Sequence, residues 1–273
     1  MNAPITIRKH QGSIRHYWRT FFGISQRELL RFIQQRTRFL SALIRPLLWL
    51  VVFAAGFRAV LGVSIMPPYD TYITYQEYIA PGLVAMVLLF NAMQSSLSMV
   101  YDREMGSMRV LLMSPLPRWY LLLCKLAASA LVSIPQAYAF LAIAWCFDVQ
   151  PPAIGYLWLA PVLLICGMVL GALGLFISSF IKQLENFAGV MNFVIFPMFF
   201  LSSALYPLWR MQESSDWLYW LCSINPFTFC VELIRFSLYN QWNGEAAAVV
   251  AGCLIGFITL AVWAFDPQRG ASR

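Results

Sequence analysis

Six apolar stretches, at about 39–61, 78–101, 119–147, 155–180, 187–205 and 246–265, take up about half of this 273-residue chain. A helix needs about 20 mainly apolar residues to cross the hydrocarbon core of a bilayer. Each stretch reaches or approaches that length. Their apolar character is continuous rather than alternating, which argues against a membrane β-barrel. Composition agrees: 60% of the residues are hydrophobic and 11% charged, where a soluble domain carries about 25% charged residues. The expected fold is one all-α polytopic membrane protein with six transmembrane helices, leaving no room in these residues for a separate soluble catalytic domain.

The cations orient the drawing. Of 19 Lys and Arg, the segments 1–45, 102–125, 181–186 and 266–273 hold nine, four, one and two. The opposite side and its margins hold Arg58, Arg210 and Arg235. Short loops rich in Lys and Arg stay in the cytoplasm, so both termini are expected there. The same sorting, with anionic headgroups, accounts for the net charge of +7 without nucleic acid. A basic segment of nearly forty residues precedes the first apolar run, so the chain reads as having no cleavable signal peptide.

Three parts follow: a cytoplasmic arm over 1–38, a six-span membrane domain over 39–265, and a tail over 266–273. In the arm, Ile14, Tyr17, Trp18, Phe21, Phe22, Leu29, Phe32 and Ile33 recur at helical spacing among arginines. That pattern predicts an amphipathic helix lying in the membrane interface. Within the domain, Gly167, Gly171 and Gly174 predict close helix packing. Residues 206–245 are aromatic and polar around two short apolar pieces, Leu218–Leu221 and Phe227–Leu238. We read them as a re-entrant helical hairpin before the last span, since irregular backbone is not tolerated against lipid. Glu232 and Arg235 would pair there, three residues apart on a helix. The rival reading makes 227–242 a full span and puts the C-terminus outside; Arg269 and Arg273 argue against it. Of the six cysteines, Cys222 and Cys230 are the two that would face an oxidising compartment.

Several chemistries drop out. None of Lys9, Lys125 and Lys182 follows a glycine, so there is no P-loop for ATP. His10 and His16 are the only histidines, which excludes an HExxH zinc site, and no metal site is expected. No span carries a charge clearly near its middle, which weighs against ion-coupled transport. The chain reads as non-catalytic, with no cofactor of its own.

The informative segment is the loop 102–118 between spans two and three. It opens on Asp102, Arg103 and Glu104, passes Gly106, and carries Met105, Met108, Leu111 and Leu112 at helical spacing around Arg109. Ser114-Pro115 and Pro117 end it. A short surface helix clamped between two spans can transmit a push from a soluble partner.

The run D-R-E-M-G-S-M-R-V-L-L-M-S-P-L-P-R-W-Y, with Lys125 downstream, resembles the cytoplasmic loop of type-2 ABC exporter permeases. Asn225-Pro226-Phe227-Thr228-Phe229, followed by Glu232 and Arg235, is similar to a motif before that family's last span. Phe229 stands where Tyr is commoner, and Glu232 where Asp or a neutral residue is. The resemblance covers nearly the whole chain and leans to the branch with drug, antibiotic and nodulation-factor exporters.

The resemblance implies a half-transporter in a bacterial inner membrane. Two permease chains would pair, as a homodimer or with a sister chain. Two copies of a separate ABC ATPase, holding ATP and Mg, would drive them. Asp102, Arg103, Glu104, Gly106 and Arg109 would couple to that ATPase. Spans two and five would line the path, which directs attention to Asn91, Gln94, Ser95, Ser98, Asn192 and Phe196. The cargo would be an amphipathic small molecule, a lipid or a glycan. An ATP-independent carrier and a membrane scaffold are the alternatives; co-purification with an ATPase separates them.

Overall fold

A computed structural model describes residues 14–34, 36–57, 67–69, 73–106, 116–181 and 183–264. Arg58, Arg109, Lys182, the tail 266–273 and the surface helix expected beyond Gly106 lie outside these residues. The described chain is helical: α1 (Ile14–Gln34), α2 (Arg36–Phe57), α3 (Tyr75–Glu104), α4 (Arg118–Ala144), α5 (Ala153–Phe180), α6 (Leu184–Phe200), α7 (Leu208–Ser214), α8 (Asp216–Ile224), α9 (Pro226–Leu238) and α10 (Gly244–Ala264).

Four of these helices, α3, α4, α5 and α10, are long and apolar enough to cross a membrane; the bent pair α8 and α9 makes a fifth if it is one span. The sequence expectation was six. Among the described residues α6 falls short, ending at Phe200, and of α2 the apolar run Leu43–Val52 is described, too short by itself for a crossing. Hydropathy counts apolar residues and does not see where a helix breaks. Here Pro197 sits in the last turn of α6, and the chain leaves the helix through 201–207.

Helix α3 is the axis of the bundle. It packs against α2, α4, α5, α6 and α9, and nearly every residue from Tyr75 to Met93 is buried. Its start is fixed by a capping box: Glu77 Oε2 accepts from Thr74 N at 2.9 Å and Thr74 Oγ1 accepts from Glu77 N at 3.4 Å. Such a box satisfies two otherwise orphaned donors. Helix α2 is held to α3 by the Arg45 guanidinium, 4.1 Å from the Phe90 ring centre, a cation–π contact.

Small residues set the approach distances. A Cβ on Gly167 would lie 3.0 Å from Ala130 Cβ, and one on Gly171 3.0 Å from Leu126. These glycines put α5 directly on α4. Two other sites admit no side chain at all. A Cβ at Gly82 would come within 2.7 Å of the Ala204 carbonyl oxygen, and one at Gly155 would overlap the Leu238 carbonyl. In both cases the obstacle is backbone, which cannot rotate away. Gly82→Ala and Gly155→Ala should each destabilise the solubilised chain by about 1–3 kcal/mol, the usual range for overpacking. Gly252→Ala, which meets nothing within 4 Å, is the control in a thermal melt.

All six cysteines are free thiols. Cys222 and Cys230 are buried, and the Cys230 carbonyl accepts a weak contact from Cys166 Sγ at 3.9 Å.

Candidate functional site

Three consecutive charged residues close α3, and each reaches a different helix. Asp102 is buried, and its carboxylate faces three cations: Lys125 of α4 at 3.4 Å, and Arg31 and Arg27 of α1 at 3.7 and 3.8 Å. Glu28 binds the same arginines, at 3.2 Å from Arg27 and 3.8 Å from Arg31. Arg103 donates to the carbonyls of Ser178 and Ser179, at 3.3 and 3.5 Å, at the end of α5. A cation is favoured there, where the last helical carbonyls lack partners. Glu104 accepts from Leu184 N at 3.3 Å, the first residue of α6, where an anion is favoured. The end of α3 therefore joins α1, α4, α5 and α6.

Local rules alone disfavour this arrangement. Asp102 sits in the last turn of a helix, the negative end of the helix dipole. Lys125 lies two turns into an apolar helix and is 5% exposed. Each group answers the other's problem, because a buried charge requires a partner. Gly106 follows with φ of +72°, a left-handed conformation that glycine adopts without steric cost. It turns the chain away from α3 toward the segment holding Arg109.

The residues expected to line a path fall into two groups. Asn91 is buried and donates from Nδ2 to the Ser129 carbonyl at 2.9 Å, tying α3 to α4. Ser95 lines a gap with Lys125, Ser129 and Gly171 that has no room for a water. Ser98 donates to the Ser95 carbonyl at 2.8 Å, and Gln94 is half-buried. On α6, Asn192 is exposed, and so are Phe196 and its neighbour Phe193. The α3 residues are tied to α4 or half-buried, whereas the two α6 residues are exposed, although α3 and α6 pack against each other.

The opposite end of the bundle is built around a buried guanidinium. Arg235 is fully buried, with Nη1 2.5 Å from Glu232 Oε1 and Nη2 donating to the Ser203 carbonyl at 2.8 Å. Its Cζ lies 4.2 Å from the centre of the Tyr78 ring. Tyr78 and Tyr75 donate to the carbonyls of Ser203 and Leu205, each at 2.9 Å. Burial holds the nearby Tyr69 phenol well above its usual range, against the opposing pull of Arg235. The Asn-Pro-x-Thr run also has a physical role. Asn225 accepts from Phe227 N at 3.0 Å to cap α9, and its amide donates to the Met198 and Leu201 carbonyls at 2.8 and 2.6 Å. Pro226 opens α9, where a missing N–H costs nothing. Thr228 returns to the Cys222 carbonyl at 2.7 Å. The result is a 76° bend between α8 and α9. Side chains of α3, α9 and the bend thus satisfy the carbonyls where α6 unwinds, as non-helical backbone in an apolar setting requires.

Sequence reasoning missed Glu28, Arg27 and Arg31 as partners of Asp102, and Tyr75 and Tyr78 as partners of 201–207. One signal was present: a lone lysine inside an apolar stretch calls for a buried carboxylate. Among the described residues, no group of three or more His, Cys, Asp or Glu is placed to hold a metal.

Comparison with known proteins gives this geometry a family. The ABC-2 type transporter family matches residues 19–239. A protein of Cyanophora paradoxa named as the transport permease ycf38 is 28% identical over 220 residues, covering 77% of this chain and 71% of that one. Escherichia coli YbhR, named as a multidrug ABC transporter permease, is 33% identical over 64% of this chain and 49% of its own length. Escherichia coli YadH, named as an inner membrane transport permease, is 22% identical over 93% of this chain and 96% of its own. The matched region contains both the charged end of α3 and the bend at Asn225, and the chain belongs to the ABC-2 type transporter family as a transport permease with several membrane-spanning helices.

Proposed function

We propose that this chain is the membrane subunit of an ATP-driven exporter in a bacterial inner membrane, paired with a second copy of itself. Two copies of a separate ABC ATPase hold ATP and Mg and supply the work. Six crossings put both termini in the cytoplasm, with α2 and α6 completing the count and α8 and α9 forming a re-entrant hairpin. Helix α1 lies in the membrane interface. Its exposed Trp18, Phe22, Leu29 and Ile33 share one face at helical spacing and are turned to lipid. The distribution of Lys and Arg supports this orientation.

One observation carries the mechanism: three adjacent charges fasten the end of α3 to four other helices. A displacement of segment 102–118 by the ATPase would reach α4 and α1 through Asp102, α5 through Arg103 and α6 through Glu104. In this reading Asp102 and Arg103 transmit motion inside the chain. Glu104, Gly106 and Arg109 lie nearer the ATPase. Asn192 and Phe196 of α6 would line the path between the paired copies, with Gln94, Ser95 and Ser98 of α3 opening to it as the bundle moves; Asn91 keeps α3 on α4. The cargo would be an amphipathic small molecule, a lipid or a glycan.

The test is co-purification of the full chain with its ATPase, followed by reconstitution. Glu104→Lys should leave insertion intact, since the residue is exposed and such contacts contribute about 1 kcal/mol or less. It should abolish export while ATP hydrolysis continues. Recovery of the intact chain with no ATPase bound, or a reporter fused at residue 110 reading as external, would overturn the proposal.

A further inference from the structure

An open groove of about 460 Å³ lies between the first half of α1 and the start of α4, lined by Tyr17, Trp18, Phe21, Trp119 and Tyr120. Its floor is fixed. The Tyr17 and Tyr120 rings meet edge to face with centroids 4.8 Å apart, and the Tyr120 hydroxyl donates to the Tyr17 carbonyl at 2.7 Å. Its walls are open: Trp18 is 57% and Trp119 51% exposed. Five aromatic side chains around one space are more than a helix contact needs, and the size is that of a small-ligand site.

An aromatic box of this kind suits either a quaternary cation or an apolar chain, and charge decides between them. Arg15 and Arg19 flank Tyr17-Trp18 on α1, Arg118 directly precedes Trp119, and all three are exposed. Glu28 is the sole acid of α1, lies seven residues beyond Phe21 and is bound to Arg27 and Arg31. No acid occurs in α4. A cation would enter a positive field. An anion carrying an apolar tail would find both of its halves matched. We infer that this groove binds an anionic phospholipid, with the upper acyl chain and glycerol against the aromatic rings and the phosphate among Arg15, Arg19 and Arg118. The lipid would bridge α1 to α4 beside the Asp102 cluster. This rests on the proposed placement of α1 in the membrane interface.

Native mass spectrometry of the full chain in detergent, titrated with phosphatidylglycerol or phosphatidylcholine, tests the site without the ATPase. The intact chain should retain phosphatidylglycerol in preference. Arg15→Gln, Arg19→Gln and Arg118→Gln should each weaken retention about fivefold, the equivalent of the roughly 1 kcal/mol that a cation contributes near an anionic surface. Trp18→Ala and Trp119→Ala, both at exposed positions, should weaken both lipids. Glycerol phosphate at equal concentration should not compete. Equal retention of the two lipids, retention unchanged in all five variants, or full competition by glycerol phosphate would overturn the inference. A reporter at residue 110 reading as external would instead overturn the orientation beneath it, so the two failures are distinguishable.

Discussion

Replacing Arg235 by methionine should lower the stability of the solubilised chain by about 3–5 kcal/mol, the cost of leaving one member of a buried ion pair alone. The size follows from burial. Arg235 has no exposed side-chain surface and Glu232 has 18%, so neither charge is screened by water as a surface pair is. The guanidinium also bonds the Ser203 carbonyl and covers the Tyr78 ring. Its loss loosens the 201–207 segment as well as the pair. Glu232→Gln removes the countercharge and leaves the buried cation only neutral acceptors, the new amide oxygen and the Ser203 carbonyl, beside the Tyr78 ring, and should cost a comparable amount. The double variant should cost less than the sum of the two, by about 0.5–3 kcal/mol, the usual coupling between contacting residues. Thermal melts of the four proteins check this; strict additivity would mean the two groups do not interact. Because the segment joins α6 to the bent pair, transport should fall further than stability alone explains.

What the sequence disclosed about this end, and what it withheld, has a common cause. Glu232 and Arg235 were legible because they are neighbours on one helix, and spacing of three reads directly as contact. The partners at Tyr75, Tyr78 and Ser203 lie more than 30 residues or more than 120 residues away, and no periodicity encodes that. The same holds at the basic end. Asp102, Arg103 and Glu104 stood out as a charged cluster, and an outward-facing surface was the natural expectation. Their bonds instead run inward to α1, α4, α5 and α6, because a helix end surrounded by other helix ends finds its countercharges there. Helix character was legible throughout, since continuous apolar runs leave little choice. The number of crossings was less so. Pro197 lies in the last turn of α6, inside the stretch that hydropathy reads as continuous to 205, and only the turn geometry shows where the chain leaves that helix. Gly167, Gly171 and Gly174 are legible as approach points from their spacing, but the Gly82 and Gly155 contacts depend on backbone from 201–207 and from the end of α9.

Asp102→Ala should be the most damaging single change at the basic end, because Asp102 is the carboxylate that Lys125 shares with both arginines. The contributions are unequal. Lys125 and Asp102 have side-chain exposures of 6% and 11%, whereas Arg27 and Arg31 stand at 42% and 40%. The first contact falls in the buried class, and losing its acid strands a lysine at about 3–5 kcal/mol. Each arginine contact is partly solvated and contributes about 1 kcal/mol or less. Arg27→Gln and Arg31→Gln should therefore be mild. Lys125→Met should be milder than Asp102→Ala, since the acid keeps two arginines. The double variant Asp102→Ala with Lys125→Met should regain much of the loss, as no buried charge is then left alone. Salt separates the two classes. At about 1 M, where screening acts over about 3 Å, the arginine contacts should fade and the Lys125 contact persist. Coupling should follow the arginines more than stability does. With Asp102 gone, three cations and Glu28 remain, and α1 loses its tether to α3. Limited proteolysis should then cut α1 in Asp102→Ala faster than in Lys125→Met, and ATP hydrolysis by the assembled transporter should run without transport. Transport intact in Asp102→Ala, with α1 still protected, would mean that the charged junction holds the bundle together but carries no motion through it.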